Sequence, residues 1–475
     1  MRVRIAQLCA LILVVASGCQ SVPWGRTKPA ACVSRAVPKD AAQSEAKSDE
    51  GVRKVSFEEK LPEREGEALP PKQVELSLDL LIQEVQARNP SLQAAIAAWQ
   101  AASARYPQAV SLDDPMFMAM AAPASFGSSE VESAYVLQGS QKFPWFGKRA
   151  ARGQVALNES TAAYHEVEDS RLKLTEVTRL AFYNYYLAAR QLDLNRENLQ
   201  IIGQFRSTAQ SRYQANQVTQ QDVLQADLEL ANLERRSIEL ERAVRLSIAR
   251  INTLLRNEPF AELPPPPKSL GGVGTKTDVE LLQQLAISQR PDLAAIAARI
   301  RAQEAEVTLA VKEYYPDVEV FGRYDSFWQP AETQSELRGQ VGVNMNVPIY
   351  RGKLNAGVRE QLANVSKERA DYEQRVLDVR FEVATAAEQL EESRRTVELY
   401  NARLIPAAEQ NVAATRSNYD VNRTTFLDLA TAQRQLIEIR EKREEALAMY
   451  FSRQAELARS IGGTEVLSEI INPCE

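Results

Sequence analysis

Side chains able to do chemistry are sparse in this 475-residue chain. His165 is its single histidine, and the sequence shows neither a Ser/His/Asp motif nor a Cys/His metal spacing around it. The sequence has no glycine-rich phosphate loop. Glu391 and Glu392 are adjacent acids, but they fall in a heptad-like helical stretch, where charges are solvated. Glycoside chemistry would need two acids facing a pocket. Met116, Met118 and Met120 could offer soft thioethers to copper or silver. The same alternation describes an apolar strand face, which is the reading adopted. His165 lies among polar helical residues and is read as solvated. No enzyme activity, resident metal or other cofactor is expected. Two carboxylates stand out by spacing: Asp222 and Asp428, each three residues after a threonine.

Thr219 with Asp222, and Thr425 with Asp428, have the pattern of a capping box that starts a helix. Both belong to a longer repeated phrase. Tyr213-Gln-Ala-Asn216-Gln-Val-Thr219-Gln-Gln-Asp222 recurs as Tyr419-Asp-Val-Asn422-Arg-Thr-Thr425-Phe-Leu-Asp428. Asn216 and Asn422 can each end a helix in the left-handed conformation. The phrase is therefore a helical hairpin tip, written twice.

The repetition extends to the elements that hold these tips. Asn89-Pro90 matches Arg290-Pro291, and Tyr106-Pro107 matches Tyr315-Pro316. Pro144-Trp145-Phe146-Gly147-Lys148 matches Pro348-Ile349-Tyr350-Arg351-Gly352-Lys353. Each repeat reads helix, strand, strand, long helix, helix. The first repeat, 75–262, has helix 76–106, strands 115–124 and 133–143, and helices 148–215 and 219–256. A proline-rich connector spans 263–276. The second repeat, 277–462, has helix 278–314, strands 317–328 and 337–347, and helices 353–421 and 425–461; a tail follows at 463–475. Each long helix would reach about 100 Å at about 1.5 Å per residue. The shorter helices, stacked end to end in pairs, would match that length.

Two seven-residue stripes mark the first long helix: Leu180, Leu187, Leu194, Ile201, and Tyr185, Leu192, Leu199. A seven-residue period implies left-handed supercoiling, and two stripes give one helix two neighbours. Gly203 and Pro406 predict local kinks.

The strands alternate. Leu337, Val341, Val343, Met345 and Val347 oppose Arg338, Gln340, Asn344 and Asn346. Val318, Val320, Tyr324 and Trp328 oppose Glu319, Arg323 and Asp325. Such strands suit lipid on one side and water on the other. Four strands cannot close a barrel, but three chains would supply twelve.

The N-terminus predicts export. Arg2 and Arg4 precede an apolar run from Leu8 to Ala16, too short to span a bilayer. Ala16-Ser17-Gly18-Cys19 resembles a bacterial lipobox. That resemblance implies a signal peptide over 1–18, lipid attachment at Cys19, and an acylated tether over 19–74. Cys32 and Cys474 could pair in an oxidising periplasm or remain two thiols. With 57 basic and 63 acidic residues the net charge is −6, which leaves no footprint for nucleic acid.

Together, the doubled tip phrase, the Pro-Trp-Phe-Gly-Lys junction and the repeat order resemble the TolC-like outer membrane efflux proteins. Asp113-Asp114-Pro115-Met116 and the junction look most like the heavy-metal, CusC- or CzcC-like branch. The resemblance covers about 75–462. It implies a mainly α homotrimer with a twelve-stranded outer-membrane β-barrel, continued by a periplasmic α-helical barrel. The implied function is the passive exit duct of a tripartite efflux pump. Its partners would be outer-membrane lipid, a periplasmic adaptor and an inner-membrane pump of the RND type. Asp222 and Asp428, with Asn216 and Asn422, fall where the family closes its periplasmic end. Gln217, Thr219, Arg423, Thr424 and Thr425 are the candidates for adaptor docking. Gln225 and Thr431 replace a second acid, and Thr424 an arginine, that the family can carry there. The alternatives are a lipid-anchored periplasmic coiled-coil scaffold, or a duct for drug or protein secretion.

Overall fold

The computed structural model describes residues 75–123, 135–274, 278–326, 339–421 and 423–463. Cys19, Cys32, Cys474, Trp328, Leu337, Arg338 and Asn422 lie outside them. The first repeat contains α1 (Leu78–Arg88), α2 (Pro90–Ser103), α3 (Arg105–Val110), β1 (Met116–Ala121), β2 (Tyr135–Phe143), α4 (Lys148–Gln214) and α5 (Gln220–Leu254). The second contains α6 (Val279–Gln289), α7 (Pro291–Lys312), β3 (Val318–Ser326), β4 (Gly339–Met345) and α8 (Arg351–Leu399). It continues through a π-helical segment (Tyr400–Leu404) to α9 (Ile405–Asp420) and α10 (Phe426–Ser460).

Both helices expected before the strand pairs are broken. A residue ahead of proline is pushed out of the helical region by the proline ring. Asn89 and Arg290 accordingly sit extended, with ψ of 125° and 124°. The break has a use, because each side chain reaches the end of the returning helix. Asn89 Nδ2 donates to Leu254 O at 3.1 Å, and Arg290 Nη1 donates to Ser460 O at 3.1 Å. Two carbonyls left over at helix C-termini are thereby satisfied. Gly462, at φ 94°, lets the end of α10 approach the Gln289 and Arg290 backbone; an added Cβ would lie 3.0 Å from it.

α4 continues through Gly203 as one helix of 67 residues. A glycine keeps its backbone hydrogen bond, so the helix tolerates it. Pro406 does disturb its helix. It follows the π-helical turn at Tyr400–Leu404, where one extra residue accommodates the missing N–H and the ring.

α4 is the spine. It packs on α1, α2, α3 and α5 of its own repeat and on α7 and α10 of the other. Its most buried seam recurs every seven residues: Val167, Leu174, Ala181, Ala188, Asn195, Ile202 and Ala209. The expected first stripe lies one residue off this seam; Leu194 is buried, while Leu180, Leu187 and Ile201 are half-buried. The true seam mixes large apolar residues with alanines and one asparagine. Asn195 Nδ2 fits there because Leu233 O accepts from it at 3.1 Å. The second stripe holds better, with Tyr185 and Leu192 buried.

The two repeats have matching cores. Leu81, Val85, Leu92, Tyr185 and Ile251 fill one; Leu282, Leu293, Val383, Leu390 and Leu457 fill the other. Phe451 packs against both.

The four strands form one antiparallel sheet in sequence order. β2 pairs β3, joining the repeats, and β1 and β4 are the outer strands, unpaired on their far sides among the described residues. Among the described residues no helix is long and apolar enough to cross a membrane.

Candidate functional site

The hairpin tips begin with backbone chemistry. Asn216 adopts φ 54°, and Gln217 N donates to Arg212 O at 2.9 Å, a left-handed helix ending. The second tip has the corresponding bond, Arg423 N to Asn418 O at 2.8 Å. α5 and α10 then start with the expected capping boxes. The Asp222 carboxylate accepts from Thr219 N at 3.3 Å; the Asp428 carboxylate accepts from Thr425 N at 3.0 Å and from Thr425 Oγ1 at 2.8 Å. The Thr425 hydroxyl and amide hold the Asp428 carboxyl below the usual carboxylate range. Asp428 is exposed and Asp222 half-buried, so both charges reach solvent.

Gln217, Thr219, Arg423 and Thr425 are exposed, as a docking surface requires, while Thr424 is half-buried. Thr424 Oγ1 donates back to Thr415 O at 3.4 Å.

Sequence reading missed how the two tips are joined. The Arg212 guanidinium lies 4.6 Å over the Tyr419 ring, donates to Tyr419 O at 3.1 Å and approaches Asp420 at 3.3 Å. Tyr419 in turn packs with Phe426, Leu429 and Ala226. No local pattern announces a contact between residues so distant in sequence. Leu224, Leu228, Val421 and Leu427 are apolar yet exposed beside the tips.

At the far end of α4, the Pro-Trp-Phe-Gly-Lys junction anchors the sheet to the helices. Lys148 is fully buried, with Nζ 2.9 Å from Asp317 and donating to Tyr315 O at 3.1 Å. Trp145 N donates to the same Asp317 oxygen at 3.0 Å, and its indole stacks on Tyr315 at 5.6 Å. Gly147 makes the corner at φ 81°. A buried ammonium needs such partners.

The sheet has two faces of opposite character. Directly paired residues share a face, so the register assigns them. Leu137, Tyr324, Val320, Val341, Val343 and Met345 occupy one face. Gln138, Lys142, Glu319, Arg323, Gln340 and Asn344 occupy the other, together with Val136 and Phe321. Met116, Met118 and Met120 pair with Ser140, Gln138 and Val136, and therefore belong to the polar face. The reading of this stripe as part of the apolar face is corrected; β1 contributes Phe117, Ala119 and Ala121 to the apolar side instead.

The family model of the outer membrane efflux proteins matches residues 81–255 and 282–463, one stretch in each repeat. The chain belongs to the outer membrane efflux protein family. It resembles the cobalt-zinc-cadmium resistance protein CzcC of Cupriavidus metallidurans, 23% identical over 322 residues, covering 66% of this chain and 74% of that one. The fusaric acid resistance protein FusA of Burkholderia cepacia is 25% identical over 232 residues, 45% of this chain and 43% of its own. The solved transmembrane channel CusC superposes with a TM-score of 0.69 at 16% identity, covering 82% of this chain and 93% of that one. As an outer membrane efflux protein, the chain is a passive exit duct for a tripartite pump, not an enzyme. Its place is the outer membrane, with the helical part extending into the periplasm.

Proposed function

We propose that three copies of this chain close their sheets into a twelve-stranded barrel and their helices into one periplasmic duct. The two-faced sheet, its outer strands unpaired on their far sides among the described residues, carries the proposal. An apolar face suits lipid, a polar face suits a water-filled lumen, and unpaired edges demand partners. A scaffold confined to the periplasm has no use for such faces. Charge supports the closure: Asp113 and Asp114 lead into β1, while Arg351 and Lys353 follow β4.

The hairpin tips form the periplasmic entrance. Asp222 and Asp428 from three copies gather carboxylates at a constriction and favour cations. The exposed tip residues Gln217, Thr219, Arg423 and Thr425 meet a periplasmic adaptor, which couples the duct to an inner-membrane pump of the RND type. Cys19 carries the lipid anchor. The cargo is a heavy-metal cation, a reading supported by the likeness to CzcC. The likeness to FusA favours a second reading, a small toxic organic compound.

The test is single-channel recording of the purified protein in a planar bilayer, with oligomer size measured in detergent. Discrete cation-preferring steps from a trimer are expected. A monomeric, non-conducting species would refute the duct.

A further inference from the structure

Methionine is an unexpected residue on the water side of a membrane sheet. Three of this chain's six methionines occupy alternate positions of one strand and share the face of Gln138, Lys142, Arg323 and Glu319. They are not consumed by packing: Met116, Met118 and Met120 are 71%, 42% and 57% exposed. Neighbouring members of the row are roughly 6.8 Å apart, two residues of antiparallel strand. Each side chain has three rotatable bonds, so adjacent sulphurs can converge on one ion.

We propose that Met116, Met118 and Met120 form a thioether ladder that binds a soft monovalent cation, copper(I) or silver(I), inside the barrel. The chemistry follows from the donor. A thioether is neutral and polarisable, and it selects soft cations over zinc or cobalt. A neutral donor also stays unprotonated, so binding does not require a proton to leave. Neutral ligands leave the ion its charge and hold it loosely enough to move on. Three consecutive thioethers give an ion successive stations along the strand, as a multi-site conduction path needs. The inference rests on the proposed barrel, which turns this face towards the lumen.

The test uses full-length protein with Cys32→Ser and Cys474→Ser, remaining thiols being blocked with N-ethylmaleimide. Silver nitrate is added in chloride-free buffer, and bound silver is measured at equilibrium by dialysis, with excess zinc as competitor. The parent is expected to retain about one silver ion per chain, undiminished by zinc. The triple variant Met116→Leu/Met118→Leu/Met120→Leu should lose it, and Met118→Leu alone should weaken it. Met345→Leu/Met449→Leu, which changes methionines elsewhere, should retain it fully. A parent that holds no silver, or a triple variant that holds as much, would overturn the ladder. Conductance of the same preparations judges the duct separately: normal pores without silver binding sink the ladder and leave the duct standing.

Discussion

Asp428 illustrates how one carboxylate does two jobs. Its oxygen satisfies the Thr425 amide and hydroxyl, and its charge remains exposed at the tip. The two roles separate by mutation. Asp428→Asn keeps a hydrogen-bond acceptor and removes the charge, so it should reduce cation preference with little loss of stability. Asp428→Ala should reduce both, because the carboxylate's bond back to the Thr425 amide is lost as well. Reversal potentials and melting temperatures of the two variants check this; equal selectivity in all three proteins would refute the electrostatic role. The sign of the pH effect follows from the lowered pKa. The cap's contribution is present above the ordinary carboxylate value near about 4 and is lost as pH falls through the lower folded value. Cation preference should therefore persist in mildly acidic buffer. The capping role was legible because Thr-x-x-Asp is local. Arg212 was not, because its partners Tyr419 and Asp420 lie in the other repeat. Nor was the methionine face, since a strand's inward side is defined only once its partner's register is known.

The helices depend on a few ties between broken ends. Arg290 donates to Ser460 O and to the carboxylates of Asp292 and Glu382, and Arg375 bridges those same two acids. Burial works against ionisation of Asp292, but the two guanidiniums overcome it and lower its pKa to about 2. This depressed value contributes stability above about pH 4, lost as pH falls towards 2. Arg290→Ala should therefore lower the melting temperature at neutral pH, by the equivalent of about 2–3 kcal/mol. The gap from wild type should narrow on acidification; a gap constant with pH would contradict the ion-pair account. The α4 seam offers a second check. Ala188→Leu inserts bulk where α4 meets its neighbours and should cost roughly 1–3 kcal/mol. Leu187→Ala, one residue away and half-buried, should cost less, and the reverse order would place the seam wrongly. Helix lengths and the hairpin order were readable from composition and repetition. The seam was offset because leucine marks hydrophobicity, whereas the buried seam mixes Ala181, Ala188, Ala209 and Asn195 with Val167, Leu174 and Ile202.

For the whole molecule, the internal duplication suggests how copies meet. Within the chain, the lysine that starts α4 is buried against the aspartate that leads into β3. The end of β4 repeats the cationic half of this arrangement: Arg351 lies 5.4 Å over the Tyr314 ring, and Lys353 is exposed without an ion pair among the described residues. The start of β1 supplies the acidic half, Asp113 and Asp114, likewise exposed and unpaired in that sense. Joining β4 of one copy to β1 of the next would repeat across the boundary the arrangement that β2 and β3 make inside one chain. Asp114→Cys combined with Lys353→Cys should then give covalent dimers and trimers with a short bis-maleimide, in protein lacking Cys32 and Cys474. Neither single variant should form them. Trimers that fail to cross-link would place the boundary elsewhere, whereas an absence of trimers would remove the barrel itself. Charge reversal adds a check on the energetics. Lys353→Glu should make the trimer dissociate at lower temperature in detergent, and Asp114→Lys in the same chain should restore part of the loss. Restoration is the informative outcome, because two independent surface substitutions would add their effects instead.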